Sequence, residues 1–302
     1  MPQKLRQNIT IITLGAIAII GLPACSRVNP TSSTPTTTTV ASNSDSAEIP
    51  PIKAGGSTSA TDFLTILKTA YLSTVETGEI DILEPSQSES AIIAVEQGLL
   101  DIGVVSKSLK PKDGNSNLNF RPAVKDALVV ATHPSVTGIT NLTTEDLQDI
   151  YSGTITNWKQ LGGPDAEILL LDRPEDESAK RLLREYYLGA NLPNSPDAII
   201  LRKEGELIQT LQSTPYSIGA FSLAYAVSNN LPINRLSLNG VEPTPDTLTT
   251  GQYPMARTIG LLWNKNASDT TTEFINYIFS PQATTILEQS GFAPLPQPTD
   301  FK

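Results

Sequence analysis

A chain of 302 residues, 39% apolar and 17% charged, is long enough for one large or two medium domains with a sizeable core. Its formal net charge of −10 at pH 7 argues against nucleic acid as a partner, because phosphate backbones are gripped by lysine and arginine. Cys25 is the single cysteine, which excludes an internal disulfide.

In chain order, the segment MPQKLRQNITIITLGAIAIIGLPAC carries Lys4 and Arg6, an apolar run from Ile9 to Leu22, then small residues before Cys25. That order is a secretory signal, and the run is too short for a comfortable membrane span. Leu22-Pro23-Ala24 ahead of Cys25 resembles the lipobox of bacterial lipoproteins, in which the signal is cut before the cysteine and the thiol takes lipid. The alternative is an ordinary signal with an incidental cysteine. Residues 1–24 are expected as a signal peptide and Cys25 as the lipidation site. Residues 25–50, rich in Ser, Thr and Pro, hold too little apolar surface to offset ordering entropy and are expected as a flexible tether. Losing Lys4 and Arg6 with the signal takes the charge from −10 to −12.

Pro51–Ala54 predicts a short strand, and Ala60–Ser73 a helix with Phe63, Leu64, Leu67, Ala70 and Tyr71 on one face. A strand near Ile80–Leu83 leads through the polar loop EPSQSES to a helix of about Ser90–Leu99. DIGVV (Asp101–Val105) and KDALVVATHP (Lys125–Pro134) are buried strand types. NLTTEDLQDIYSG places Thr143 and Thr144 ahead of Glu145 and Asp146, which is cap chemistry, and it ends at Gly153. EILLLD (Glu167–Asp172) predicts a strand, followed by a helix over about Glu177–Leu188 that stops at Gly189. Further strand and helix candidates run through Tyr216–Val227, Arg257–Trp263, Asp269–Phe279 and Pro281–Ser290. Strands alternating with helices of this length indicate α/β layers with a largely parallel sheet. The roughly 250 residues after the tether favour two lobes.

In such sheets ligands sit at the carboxyl ends of strands, beside helix amino ends. The turns AGGSTSAT, EPSQSES and LLLDRPEDES all occupy that position. A helix start leaves several N–H groups unpaired and carries partial positive charge, so it binds anions without net positive residues. Gly55 and Gly56 permit close backbone approach, and Ser57, Thr58 and Ser59 offer hydroxyl donors. Arg173 adds a guanidinium fork suited to an oxyanion. Ordinary N-caps account for the serines and threonines equally well, and an ion pair accounts for Arg173; the combination in matched positions favours a ligand cradle.

Five stretches carry a family resemblance: AGGSTSATDFL, QSESAIIAVEQGLLDIGVVSKSLKP, LQDIYSGTITNWKQLGG, QYPMARTIGLLW and FINYIFSPQATTILEQSGFAPLP. In that order, over about Ile52 to Pro296, the chain resembles the phosphate-binding (PstS-like) substrate-binding proteins of ABC transporters. The resemblance implies a two-lobed α/β periplasmic-binding-protein fold of type II, each lobe a mixed, mostly parallel sheet flanked by helices. It implies one lobe of residues 51–130 and 256–302 and another of 131–255, with crossovers near Lys125–Thr132 and Met255–Trp263. It also implies closure of the lobes on the ligand. By the resemblance Ser57, Thr58 and Ser59 contact the anion, Ser88 and Ser90 stand at the second turn, and Arg173 and Ser178 survive at the third. Ser106 and Lys107 stand after the DIG strand where many relatives carry an aspartate that accepts a phosphate proton. The third turn departs furthest. RPEDESA replaces an Arg followed by Ser-Gly-Thr, and three acids now adjoin the anion's place. The site survives if Glu175 pairs with Arg173 and the other acids face solvent.

His133 reads as structural, Trp158 as packing a loop, and Tyr186-Tyr187 as core; GVEPTPD has no regular metal-loop spacing. No cofactor is expected. The resulting expectation is a monomeric, lipid-anchored, extracytoplasmic protein that captures an oxyanion, inorganic phosphate first, for an ABC-transporter permease, and is not an enzyme. The alternatives are a different oxyanion or small organic anion, or a sensor or partner-binding module without ligand.

Overall fold

The computed structural model describes residues 50–57, 60–76, 78–107, 109 and 117–296. The expected signal peptide, Cys25, the tether up to residue 49, Thr58 and Ser59 lie outside these residues. In chain order the elements are β1 (Ile52–Gly56), α1 (Thr61–Leu72), β2 (Ile80–Ile82), α2 (Ser88–Glu96), β3 (Ile102–Val105), β4 (Leu118–Thr132), β5 (Asn141–Leu142) and α3 (Thr144–Ser152). A 3-10 turn (Trp158–Leu161) and β6 (Leu169–Asp172) lead to α4 (Ser178–Leu183), which continues as a π-helical turn (Arg184–Leu188). β7 (Ile199–Ile200), α5 (Glu204–Ser213), β8 (Ser217–Ser222), α6 (Leu223–Ser228), β9 (Asn234–Arg235), β10 (Ser237–Leu238) and α7 (Pro245–Thr249) follow. β11 (Ala256–Asn264), α8 (Asp269–Ile278), α9 (Pro281–Gln289) and β12 (Ala293–Pro294) complete the order.

The main sheet runs β2-β1-β3-β11-β4-β8-β6-β7, with β9 and β12 also pairing with β4. Pairing is parallel at both ends of this sheet, in β2-β1-β3 and in β8-β6-β7. It is antiparallel in the middle, where β11 and β4 meet each other and their outer neighbours. The continuous apolar runs explain the ends. Every position of β3 (IGVV) and β8 (SIGAFS) is buried, as expected of strands covered on both faces.

Two large apolar clusters flank the sheet. One gathers Phe63, Leu67, Ile102, Val124, Ile259 and Phe274, and the other Val130, Leu147, Tyr151, Trp158, Leu183 and Met255. Local signals hold where they are strong. Thr143 caps α3 by accepting from Asp146 N at 3.1 Å while Asp146 returns a bond to Thr143 N at 2.8 Å, and Gly153 ends the helix at φ 81°. Gly56 has φ 146°, and a Cβ there would lie 2.1 Å from the Val104 carbonyl oxygen, so only glycine lets β1 end against β3. Trp158 is buried and donates Nε1–H to Tyr216 O at 2.9 Å, and His133 Nδ1 sits 2.9 Å from Ser135 Oγ.

Two sequence expectations need correction. Tyr187 is core, but Tyr186 is exposed, because adjacent helical residues do not share a face. The strand expected at Lys125–Pro134 is a 15-residue strand, β4, that starts at Leu118. Beyond these, Ile199–Ile200 form β7 and Glu204–Ser213 form α5, with Leu207, Ile208 and Leu211 buried at helical spacing.

Where β4 and β11 pair, Asp126 and Arg257 are register partners and both are buried. Arg257 Nη2 and Nε donate to Asp126 Oδ2 at 2.7 and 3.0 Å. The other Asp126 oxygen accepts from Ser222 Oγ at 3.0 Å and Ala224 N at 3.3 Å. Glu204, first residue of α5, lies 3.6 Å from Arg257 Nη2 and accepts from Ser222 N at 2.8 Å. Asp62 on α1 joins this field. Burial lifts its carboxyl to about pKa 6, with Glu204 and Asp126 adding to the rise and Arg257 opposing it.

Arg257→Met leaves Asp126 buried without its counter-ion and is expected to cost about 3–5 kcal/mol in urea unfolding. Asp62 titrates near its ordinary 3.8 when unfolded and near 6 when folded, so its favourable contribution is full below pH 4 and lost as pH rises to 6. Asp62→Asn is therefore expected to add about 1–2 kcal/mol at pH 7.5, after allowing for solvent screening, and nothing at pH 3.5. Urea melts of both proteins across that range check the sign.

Candidate functional site

Four strand-to-helix junctions open onto one cleft of about 550 Å³. Ser57 follows β1, Ser106 follows β3, and Ser86, Gln87, Ser88 and Ser90 surround the start of α2. Arg173 follows β6, with Ser178 at the start of α4, and Arg202, Lys203 and Glu204 lie at the start of α5. Ser57, Ser88, Ser90, Ser106, Arg173 and Ser178 thus line the same space, while Thr58 and Ser59 fall outside the described residues. The sequence reading missed the fourth junction. Its signal was a pair of isoleucines, a basic turn and a helical apolar repeat in IILRKEGELIQTL.

The serines are knit together. Ser57 Oγ lies 2.8 Å from Ser106 Oγ, Ser106 N donates to Ser88 Oγ at 3.2 Å, and Ser86 N donates to Gly56 O at 2.7 Å. Ser57 and Ser88 are 7% and 8% exposed, so these hydroxyls are fixed parts of the wall. They are not helix caps. The N-cap positions of α1, α2, α4 and α5 are Ala60, Gln87, Glu177 and Lys203, and none makes a side-chain cap bond. By contrast Thr143, Ser222, Thr244, Ser268 and Ser280 cap α3, α6, α7, α8 and α9. Helix starts at the cleft lack what the remaining helices have, which leaves N–H groups for something else to satisfy.

Arg173 is 6% exposed. Its Nη2 donates to Glu177 Oε2 at 3.2 Å, while Nε and Nη1 are buried without a partner among the described residues. A buried charged donor without an acceptor is costly, so the two nitrogens mark a place for an anion. The amide of Arg173 is itself fixed, donating to Asp172 Oδ1 at 2.7 Å, and Asp172 in turn holds the buried ammonium of Lys180.

In the acidic turn Glu177, and not Glu175, pairs with Arg173. Glu175 turns away to Arg184, whose Nη2 and Nε reach it at 2.7 and 3.2 Å, and Asn194 adds a bond at 2.9 Å. Arg184 above all holds its carboxyl down, at about pKa 2. Asp176 accepts from Arg202 at 2.9 Å. Glu177, not Glu175, takes Arg173, and it also lies 3.4 Å from Arg202. The reason is turn geometry. Glu177 N bonds back to Pro174 O at 3.0 Å, and the i,i+4 carboxylate then falls beside the guanidinium.

Charge in the cleft is balanced by Glu89, Asp176, Glu177 and Glu204 against Arg173, Arg181, Arg202 and Lys203. The acids are also engaged: Glu89 takes Lys107 at 2.7 Å, and Glu204 takes Ser222 N and Arg257. An anion entering here meets carboxylates whose charge is already answered by arginine or lysine, in a chain that is acidic as a whole. Among the described residues no group of three His, Cys, Asp or Glu is arranged to hold a metal.

Residues 29–282 match the PBP superfamily domain. The phosphate-binding protein PstS of Borreliella burgdorferi is 31% identical over 199 residues, which are 63% of this chain and 71% of that protein. The phosphate-binding protein PstS of Bacillus subtilis is 27% identical over 232 residues, 75% of this chain and 74% of that one. Among solved structures, a phosphate-bound substrate-binding protein from Clostridium perfringens superposes with a TM-score of 0.69 at 23% identity, covering 82% of this chain and all of that one, and shows the same fold. With the mixed sheet, the junction-lined cleft and these relatives together, the chain belongs to the PBP superfamily, among its PstS-like substrate-binding proteins.

Proposed function

We propose that this protein captures inorganic phosphate outside the cytoplasm and delivers it to an ABC-transporter permease, a binding role without covalent chemistry. The observation that carries the reading is Arg173, a buried guanidinium with Nε and Nη1 unpartnered beside hydroxyl walls and uncapped helix starts. Ser57, Thr58, Ser59, Ser88, Ser90, Ser106 and Ser178 supply the remaining donors in this reading. Relatives named as phosphate-binding proteins support the choice of anion.

The cleft is far larger than a five-atom anion, since one water occupies about 30 Å³. Closure of two lobes, 51–130 with 256–302 and 131–255, shrinks it around the ligand and excludes water. A second reading, a different oxyanion or small organic anion, rests on Glu177, which shares the Arg173 guanidinium with any ligand. Two like charges about 4 Å apart cost roughly 1 kcal/mol in water and several in a drier cleft.

The protein works as a monomer held to a bacterial membrane by lipid on Cys25, with residues 25–50 as its tether. Among the described residues no helix is long and apolar enough to cross a membrane. Mass spectrometry of the mature protein is expected to find Cys25 as a lipid-modified first residue; an unmodified start elsewhere refutes the anchor.

Phosphate at a hundred times its dissociation constant is expected to stabilise residues 46–302 by about 2.7 kcal/mol, read as a thermal shift. Sulfate, arsenate, molybdate and small carboxylates form the comparison set. Arg173→Ala removes two charge-assisted bonds and is expected to weaken phosphate at least a hundredfold. A shift from another anion alone favours the second reading, and none from any anion refutes both.

A further inference from the structure

An ion pair adjoins the cleft without lining it. Lys180, the third residue of α4, is completely buried and pairs with Asp172, the last residue of β6, which is 2% exposed. The Lys180 ammonium also lies 5.0 Å from the centroid of the Tyr151 ring. A buried ion pair is a poor device for stability alone, because apolar residues of similar volume often replace it without loss. Its geometry suggests another role. One Asp172 oxygen accepts from Arg173 N at 2.7 Å and the other from Lys180, while the Asp172 carbonyl accepts from Leu201 N at 2.9 Å. The first α4 amide with a helical acceptor is that of Arg181, bonded to Glu177 O at 3.1 Å, so those of Ser178, Ala179 and Lys180 belong to the open first turn.

We propose that the Lys180–Asp172 pair is a positioning unit. It rivets the end of β6 to the start of α4, so that the Arg173 guanidinium and the open α4 amides converge on one anion. The inference rests on the anion-capture reading above. Arg173 holds two donors in a buried position where they have no partner, and Glu177 restrains only Nη2. Asp172 fixes the backbone from which the Arg173 side chain extends, by accepting from the Arg173 amide, and Lys180 holds that carboxylate in place. Lys180 takes no direct part in binding, since its ammonium is wholly buried against Asp172 and Tyr151.

Two paired variants of the mature chain test this. Asp172→Leu with Lys180→Met keeps volume and neutrality but removes the acceptor from Arg173 N. Asp172→Asn with Lys180→Gln is also neutral yet keeps an oxygen for that amide. Phosphate affinity is measured by calorimetry well below the melting temperature, where lost stability alone does not change it. Hydrogen exchange is followed at residues 173–181, with α8 as reference. The first variant is expected to bind phosphate at least tenfold more weakly and to exchange at least tenfold faster in that turn, with α8 unchanged. The amide variant is expected to stay within about threefold of the parent in both. Unchanged affinity or exchange in the first variant overturns the proposal, and so does an equal loss in the amide variant. If the parent itself binds no phosphate, the phosphate reading fails and the exchange pattern alone decides the positioning role.

Discussion

An arginine buried with two of its donors unanswered is the constraint around which the rest of this structure is arranged. Removing a guanidinium from water costs several kcal/mol unless its hydrogen bonds are replaced, and among the described residues Arg173 finds one side-chain partner, Glu177. The surroundings offer further donors to the same cleft. Serine hydroxyls are packed into the wall and not spent as caps, and four helices begin at the cleft without side-chain caps. Each feature is ordinary by itself. Their convergence on one space follows from the sheet, whose strands end where those helices begin.

The acidic stretch after Arg173 shows how local charge is managed. Glu175, Asp176 and Glu177 are consecutive, and like charges in sequence repel unless the fold separates them. Here each faces its own arginine: Arg184, Arg202 and Arg173. Those arginines come from the π-helical turn, the α5 approach and the end of β6, so the neutralisation is tertiary. The cleft is left balanced in charge inside a chain of net −10, and only short-range hydrogen bonds then decide what binds.

The second buried ion group, Asp126–Arg257 with Glu204 and Asp62, ties the central antiparallel strands to the cleft floor. Asp126 and Arg257 stand opposite each other on β4 and β11, which share the longest pairing in the sheet. Glu204 both neighbours Arg257 and lines the cleft, so the β4–β11 pair and the α5 start are one bonded unit. Burial above all lifts the Asp62 pKa, and the Glu204 and Asp126 carboxylates add to the rise against the opposing Arg257 guanidinium.

Much of this was legible in the chain itself. Buried strands show as unbroken apolar runs, the α3 cap as Thr143 with Asp146, and the ligand junctions as Gly- and Ser-rich turns before amphipathic stretches. These signals are local, set by backbone sterics and hydrogen bonds within a few residues. The order of the motifs also pointed to the superfamily. What the sequence could not contain was the pairing of charges distant along the chain. Glu175 with Arg184 in place of Arg173, Arg202 closing on Asp176, and Lys180 buried under Asp172 are all outcomes of turn register and packing. A charged side chain carries no mark of its partner. The partner is chosen by which carboxylate the folded backbone brings within about 3 Å of a guanidinium or ammonium, and only the tertiary structure makes that choice.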